Sequence, residues 1–326
     1  MLLVVVYHCI LFWTGTWFTT QEPIRQSTLL PILSSWMNSF HIYGFTLISG
    51  YLFFFLKYEK RQYTKFYPFI VNKARRLLIP YIFVASVWVI PISQIFSEYT
   101  PTEVISKYVL GTSPSQLWFL LMLFGVFMLF YPLSDFFKKR TIAGAVVVIL
   151  FYGVGLIGQY AHINFFQIFR ACVYIPFFWL GFKIRQYGSC YLRKIPALVW
   201  LVVDILLFGV TKFLSTLDGI IFVLLHQGFS FALHIVGALM AFVLLQKLAK
   251  CIEWKDNKTF KFLSAHSMPV YLFHQQIIYI FLSCLNGKVD PYTHSFVNFI
   301  GAMAISLLIS SFLMRFKWTR FLIGEK

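Results

Sequence analysis

Charged residues are scarce in this chain: they make up 12% of its 326 residues, and only 11 residues are acidic. Soluble proteins typically contain about twice that share of charged residues, because a water-facing surface has to be covered by polar groups. Hydrophobic residues make up 59% of the sequence and aromatic residues 20%. The scarcity of charge therefore excludes a water-soluble domain and indicates an integral membrane protein.

Several sequence motifs of well-known enzyme classes are also missing. There is no GxxxxGK[ST], no HExxH, no GxSxG and no acidic pair placed for metal binding. P-loop ATPases, zinc proteases and serine hydrolases are thereby excluded. The cysteines form no CxxC pair, so we expect neither a disulfide framework nor a metal site; they are Cys9, Cys172, Cys190, Cys251 and Cys284.

Long apolar runs dominate what remains, and each crossing of a bilayer needs about 20 such residues. We predict an all-α integral membrane protein with ten transmembrane helices in a single domain over residues 1–326. The ten runs are 1–18, 36–56, 77–97, 116–133, 141–158, 164–182, 197–214, 222–246, 261–283 and 295–316. The first run lacks a basic segment and a cleavage site, so we interpret it as a retained helix rather than a signal peptide. His226, Gln227 and Gly228 interrupt the eighth run, which favours a short outer helix leading into that span.

The basic residues predict the orientation of these helices. Of the 28 lysines and arginines, 23 follow even-numbered spans. Cytoplasmic connections of membrane proteins carry such an excess of positive charge, so we expect both termini to be cytoplasmic. The same distribution argues against nucleic-acid binding, because the cations lie in short tracts between apolar runs.

Ionisable residues inside the spans are energetically costly and are therefore the candidates for function. They are His8, His41, Arg170, Asp204, His234, His266 and His274. At about 1.5 Å per residue, His8 lies roughly 12 Å from the basic side, His274 roughly 20 Å from it, and Arg170 roughly 9 Å from the opposite side. These three side chains are expected to converge near the middle of the membrane.

Each candidate has a functional and a structural interpretation. A buried neutral histidine can serve as a general base, but it can equally donate a hydrogen bond to a neighbouring helix, which we favour for His41, His234 and His266. Arg170 needs either a carboxylate, for which Asp204 is available, or an anionic ligand. We expect the tryptophans, such as Trp118, to be lipid contacts and interface anchors.

The basic segment from Lys57 to Arg76 has two interpretations as well. Its seven cations fit the charge bias of a cytoplasmic connection. Lys73, Arg75 and Arg76 lie against the start of the third span, however, where they are placed to bind the phosphates of a cytosolic donor such as an acyl-CoA.

Six segments resemble the membrane acyltransferase family 3, which includes bacterial O-acetyltransferases and O-succinyltransferases of surface polysaccharides. They are LLVVVYH (2–8), FTLISGYLF (45–53), NKARRLLIPY (72–81), QLWFLLMLF (116–124), FFWLGFKI (177–184) and SMPVYLFHQ (267–275). None is specific alone, but they occur in order along the whole chain. The family usually carries an arginine upstream of the first histidine, at a position that precedes Met1 here. The chain resembles the members that have only the membrane domain.

The resemblance implies that an acyl group, most simply acetyl, passes from cytosolic acyl-CoA to a hydroxyl of a surface polysaccharide or lipid-linked glycan. It implies His8 as the catalytic base or transient acyl carrier, Lys73 and Arg76 as donor-phosphate ligands, and Arg170, His274 and Ser49 as substrate-binding residues. The expected location is the bacterial plasma membrane, with no metal and with polysaccharide synthesis enzymes as possible partners.

Two other classes of function fit the residues. Ten helices with central polar groups also suit a transporter of polysaccharide or lipid-linked sugar, although we find no inverted repeat. The chain also fits a non-catalytic partner of a glycan synthase. Release of free CoA distinguishes an acyltransferase from both.

Overall fold

The computed structural model of the protein describes residues 1–17, 21–251 and 257–325, and it is helical throughout, with no strand among these residues. The α-helices are α1 (Leu2–Leu11), α2 (Leu29–Asn38), α3 (His41–Phe54), α4 (Phe66–Val84), α5 (Ile90–Phe96), α6 (Pro101–Val104), α7 (Trp118–Lys139), α8 (Thr141–Tyr160), α9 (Ile168–Tyr187), α10 (Cys190–Lys194), α11 (Ala197–Leu214), α12 (Ile220–Cys251), α13 (Lys258–Ala265), α14 (Ser267–Leu285), α15 (Pro291–Leu313) and α16 (Lys317–Leu322).

In the described part of the chain, nine helical runs are long and apolar enough to cross a bilayer, and the protein is a multi-pass membrane protein. They are Leu29–Glu59, Phe66–Phe96, Ser115–Lys139, Thr141–Tyr160, Phe165–Tyr187, Ala197–Leu214, Ile220–Ala249, Ser267–Leu285 and Pro291–Leu313. The all-α membrane class and nine of the ten predicted spans are thus confirmed. The first helical segment, Leu2–Thr14, is shorter than a full span. The predicted end of that span, and the cations at 255 and 326, lie outside the described residues.

Two predicted boundaries are wrong in ways that matter for the site. The expected interruption at His226 to Gly228 does not occur, because α12 continues as one helix from Ile220 to Cys251. His226 lines a cavity from within this continuous helix. The third span begins at Phe66 rather than at residue 77, so Lys73 and Arg76 occupy fixed positions within α4.

The centre of the molecule is the crossing of α3 and α9, which pack more closely than any ordinary side chain permits. A Cβ on Gly50 would overlap the Phe178 carbonyl group, and a Cβ on Gly181 would overlap the Leu47 carbonyl group. Small residues allow helices in a bilayer to approach each other, and dispersion contacts then stabilise the pair. Both glycines lie in segments that carry the family resemblance.

The other helices surround this pair in two shells. Buried residues make up 61% of the apolar windows of the runs containing α7 and α9, but only 17% of that of α11. The buried share is 33% to 61% for the runs with α4, α7, α12 and α14, but only 17% to 28% for α8, α11 and α15, which turn most of their side chains outward as lipid-facing helices do.

Connections alternate between the two ends of the bundle. At one end, Arg185 forms an ion pair with Glu59 at 2.6 Å, which ties the end of α9 to the end of the α3 run. At the other end, the backbone N–H of Ile24 donates to the side chain of Asn286 at 3.1 Å. The tracts of basic residues lie at the end with the Arg185–Glu59 pair. That this end is cytoplasmic stays a prediction from their charge.

The α3–α9 crossing yields a stability prediction. We expect Gly50→Ala and Gly181→Ala each to lower the thermal stability of the detergent-solubilised protein, because the added methyl group forces two backbones apart at a cost of about 1–3 kcal/mol or more. Gly153→Ala is the matched control, since no atom lies within 4 Å of the position of its added Cβ. Unchanged melting of the Gly50 and Gly181 variants, measured by thermal size-exclusion assay, would contradict the close crossing.

Candidate active site

Two histidines from opposite ends of the chain meet in the interior. His8 of α1 and His274 of α14 lie with Nδ1 of His8 3.1 Å from Nε2 of His274. Sequence reasoning predicted this convergence, although His274 lies only about 10 Å into its helix, because α14 begins at Ser267 and not at residue 261. His274 is fully buried, whereas His8 is partly exposed and reaches a cavity.

Hydrogen-bond geometry fixes the tautomers of this pair. Nδ1 of His274 lies 2.8 Å from the carbonyl oxygen of Tyr271 and 3.1 Å from that of Val270, so it carries the proton and Nε2 is an acceptor. Nδ1 of His8 faces two acceptors, the Val4 oxygen at 2.9 Å and Nε2 of His274, so it is also the protonated nitrogen. Nε2 of His8 therefore keeps its lone pair, and no described residue donates to it.

His8 lines a cavity of about 380 Å³ that we call the histidine cavity, which opens between α1, α7 and α14 toward the end opposite the basic residues. Its polar wall includes Gln116, Gln275 and Tyr279. The side chain of Gln275 donates to Ser115 at 2.9 Å and to Tyr279 at 2.5 Å, which holds this wall in place. A molecule with hydroxyl groups finds hydrogen-bond partners in this cavity, which His8 also lines.

Arg170 lies beside the histidine cavity rather than at the histidine pair. Its guanidinium stacks on Trp118, 4.5 Å from the ring centroid, and Trp118 lines the cavity. The expectation that Trp118 is a lipid contact is therefore wrong. The start of α9, which carries Arg170, is fixed by Gln167, a buried residue in the left-handed conformation whose side chain donates to the Gly111 carbonyl at 2.6 Å.

The alternative partner of Arg170 is used elsewhere. Asp204 accepts a hydrogen bond from the indole of Trp36 at 2.7 Å, and no carboxylate of the described residues lies within ion-pair distance of Arg170. A structural Arg170–Asp204 pair is thus not formed. An arginine in the membrane without a carboxylate partner is available to an anion or to a polarised oxygen.

A second cavity, of about 310 Å³, lies toward the basic end, and we call it the basic cavity. Lys73, Arg76 and Ser49 line it together. The ammonium of Lys73 lies 4.2 Å from the centroid of the Phe127 ring, and neither cation has a carboxylate within ion-pair distance among the described residues. The Ser49 hydroxyl donates to the Phe45 carbonyl at 2.9 Å, so its oxygen lone pairs are left as acceptors.

The segment after α16 closes one side of the basic cavity. Gly324 lines it, and a Cβ there would lie 2.8 Å from the Arg76 carbonyl oxygen. Burial raises the pKa of the half-buried Glu325 carboxyl group, while the positive charges of Arg76 and Arg320 act in the opposite direction. The net charge at this entrance remains positive.

The two cavities are stacked along the same three helical segments. In each segment, one residue lines the histidine cavity and the residue seven positions away lines the basic cavity: Ile42 and Ser49, Gln116 and Leu123, Gln275 and Met268. Seven residues of α-helix correspond to about 10 Å. The cavities thus approach each other from opposite ends and are separated by a thin septum.

Three aromatic side chains occupy the septum, and we call them the aromatic layer: Phe45, Phe119 and Tyr271. Ring centroids are 6.3 Å apart between Phe45 and Phe119, and 6.1 Å apart between Phe119 and Tyr271. The Tyr271 hydroxyl donates to the backbone carbonyl of Gln116. The Tyr271 ring also lies 6.1 Å from the His274 ring, so the histidine pair adjoins this layer.

Three other histidines that the sequence singled out have structural partners. His41, His234 and His266 each place Nδ1 within 2.8 Å of a backbone carbonyl oxygen. Sequence reasoning missed Gln116, Phe119 and Tyr271. For Gln116 a signal existed, since it is a polar residue at the edge of a very apolar run; the two aromatic residues are hidden among the 39 phenylalanines and 18 tyrosines of the chain.

Comparison with known proteins places this arrangement in a family. The sequence profile of acyltransferase family 3, described as an acyltransferase domain, matches residues 1–315. No curated protein and no solved structure matches significantly. Because the profile extends over nearly the whole chain, including every residue of both cavities except Gly324, the chain belongs to acyltransferase family 3.

Proposed function

We propose that this membrane acyltransferase moves an acyl group, most simply acetyl, from acyl-CoA in the basic cavity to a hydroxyl of a glycan or glycolipid in the histidine cavity. The observation that carries the proposal is the free lone pair on Nε2 of His8, a residue that lines a cavity with polar walls. Family membership supports acyl transfer, and the geometry supports the roles of donor, acceptor and base.

His8 acts as the general base in this proposal. Its Nε2 takes the proton of the acceptor hydroxyl while the hydroxyl oxygen attacks the thioester carbonyl carbon. As the new C–O bond forms and the C–S bond breaks, the same proton passes from Nε2 to the leaving sulfur, which gives an ester and free CoA thiol. Nδ1–H donates to His274 throughout and stabilises the transient positive charge on His8.

His274 is a positioning residue in this scheme. The sequence predicted a contact with substrate, but its burial behind His8 and its two backbone carbonyl acceptors suit it to orient the catalytic ring. A neutral imidazole acceptor also lets the charge of the imidazolium spread over two rings, which is favourable where water is scarce.

The donor binds from the basic end. Lys73 and Arg76 lie three residues apart on one face of α4, a spacing that lets both cations hold phosphate oxygens. The narrow pantetheine arm, rather than the bulky nucleotide, would extend past Ser49 toward the aromatic layer. Arg170, on the acceptor side, would orient an anionic group or polarise the carbonyl oxygen.

The proposed donor and acceptor indicate in which membrane the protein acts. Cytosolic acyl-CoA and an exported glycan meet at the bacterial plasma membrane, and we place the protein there with the basic end toward the cytoplasm. Enzymes of polysaccharide synthesis are its expected neighbours, because they supply the acceptor.

The first test concerns the base. We expect His8→Ala to lower acceptor-dependent release of CoA thiol by at least about 100-fold, because a general base contributes that much or more. The assay uses the purified protein in nanodiscs with acetyl-CoA or succinyl-CoA and crude surface glycan. His162→Asn, which changes an exposed histidine in the turn after α8, is the control. Full activity of His8→Ala would refute the mechanism, and CoA release by no variant, wild type included, would favour transport or assembly.

The second test concerns the donor site. We expect Lys73→Gln and Arg76→Gln each to raise the KM for acyl-CoA about tenfold or more, since each removes a charge-assisted contact with phosphate. The KM of the wild type should also rise with salt more steeply than that of the variants. Arg75→Gln is the matched control, because Arg75 is exposed on another face of α4 and lines neither cavity. Equal effects of all three substitutions would indicate general surface charge instead of a site.

The third test concerns the septum. We expect Phe119→Ala to increase hydrolysis of acyl-CoA without acceptor, on the order of tenfold, because water from the histidine cavity gains access to the thioester. Phe312→Ala removes an aromatic side chain that is 58% exposed on α15 and should leave hydrolysis unchanged. If the two variants hydrolyse the donor at the same rate as the wild type, the aromatic layer is not the barrier between the cavities.

A further inference from the structure

A third cavity, of about 320 Å³, lies at the end of the bundle opposite the basic residues, between the ends of α2 and α11 and the beginning of α12. We call it the hydroxyl-lined cavity. Most of the residues that line it are polar, in contrast to the apolar outer faces of α11 and α12, and they include Ser35, Asn38, Ser39, Thr211, Ser215 and Ser230. Such a concentration of hydroxyl and amide groups suits a polar molecule better than a lipid chain.

The hydrogen bonds of these hydroxyl groups indicate what that molecule donates. Thr211 donates to the Phe208 carbonyl at 2.8 Å, Ser215 to the Lys212 carbonyl at 2.7 Å, and Ser39 to the Trp36 carbonyl at 2.6 Å. Their protons are thus engaged by their own helices, and the oxygen lone pairs are left as acceptors. A ligand that presents several O–H donors matches such a wall.

The charge of the hydroxyl-lined cavity sets a second requirement for its ligand. Lys212 lines the cavity and forms no ion pair with any described residue; its ammonium lies 5.6 Å from the Phe208 ring centroid. His226, near the beginning of α12, lines the same cavity. The cavity therefore presents a cation without a counterion together with hydroxyl acceptors, which suits a polyhydroxylated anion.

The hydroxyl-lined cavity is adjacent to the reaction site. Asn38, the last residue of α2, lines both this cavity and the histidine cavity, and its carboxamide makes no hydrogen bond to a described residue. A molecule that extends from one cavity into the other passes this side chain. Its reacting hydroxyl can then approach His8 while its other end lies near Lys212.

We propose that the hydroxyl-lined cavity is a second subsite for the acceptor, selective for a sugar unit that carries a carboxylate or a phosphate. The anionic group pairs with Lys212, the sugar hydroxyls donate to the wall, and Asn38 bridges this unit to the one being acylated. The inference rests on the proposed function, since it deepens the identity of the acceptor.

The test compares matched acceptors. Crude surface glycan is used untreated, after amidation of its carboxylates, and after removal of its phosphates with hydrofluoric acid. For the untreated glycan we expect Lys212→Gln to raise the acceptor KM on the order of tenfold, the value for loss of one charge-assisted hydrogen bond, and to leave the KM for acyl-CoA unchanged. With glycan from which the recognised anion has been removed, the acceptor KM of the wild type and of Lys212→Gln should be equal. The treatment that has this effect shows whether the anion is a carboxylate or a phosphate.

Two control variants sharpen this result. Lys212→Arg retains the charge and should restore recognition, whereas Lys288→Gln removes an exposed cation from the turn after α14 and should have no effect. A KM that does not change in Lys212→Gln, or that rises equally with neutralised and untreated glycan, overturns the subsite.

Measurements of glycan binding test the subsite independently of the proposed acyl transfer. Calorimetric titration of the same glycans into the wild type and Lys212→Gln needs no turnover. Charge-dependent binding without any release of CoA would support the subsite and refute acyl transfer. Turnover and binding that are both independent of Lys212 would support acyl transfer and refute the subsite.

Discussion

The close crossing of α3 and α9 is the constraint on which the remaining structure depends. Gly50 and Gly181 let the two backbones touch, and α7, α8 and α12 then pack against this pair. Helix association in a bilayer gains little from the hydrophobic effect, so contact at small residues has to provide much of the stabilisation. The crossing also places Ser49, next to Gly50, on the wall of the basic cavity.

Opposite cavities with a thin septum follow from this packing. Helices α3 and α14 line both cavities and continue through the septum without a break. The two cavities therefore keep a fixed separation of about 10 Å. The proposed reaction, with a charged donor on one side and a polar acceptor on the other, then needs no movement of whole substrates across the membrane. Only the acyl group and the end of its carrier have to reach the aromatic layer.

The sequence was most informative about the site where it places a residue type that is rare in a membrane-spanning helix. Hydropathy located nine spans, and the cost of ionisable groups in lipid singled out His8 and His274, which lie together. The basic pair Lys73 and Arg76 was likewise visible, although the helix that carries them begins eleven residues earlier than predicted, because Phe66 to Asn72 is helical without being uniformly apolar.

Features that arise from packing were beyond the sequence. Phe119 and Trp118 look like any of the lipid-facing aromatic residues, and only the tertiary structure turns them toward a cavity. The polar interruption in α12 was interpreted as the end of a helix because part of the surface that it faces, on α2, is distant along the chain. The pairing of Asp204 with Trp36 instead of Arg170 could not be deduced either, since both partners lie in apolar runs.

Transfer between two faces of one membrane is the central claim, and sidedness tests it most directly. Sealed proteoliposomes of uniform orientation are supplied with radiolabelled acyl-CoA on the basic side only, with acceptor glycan enclosed or added on either side. The account predicts label on glycan at the face opposite the donor and almost none on glycan at the same face. Equal labelling of glycan that shares the donor's compartment would contradict it.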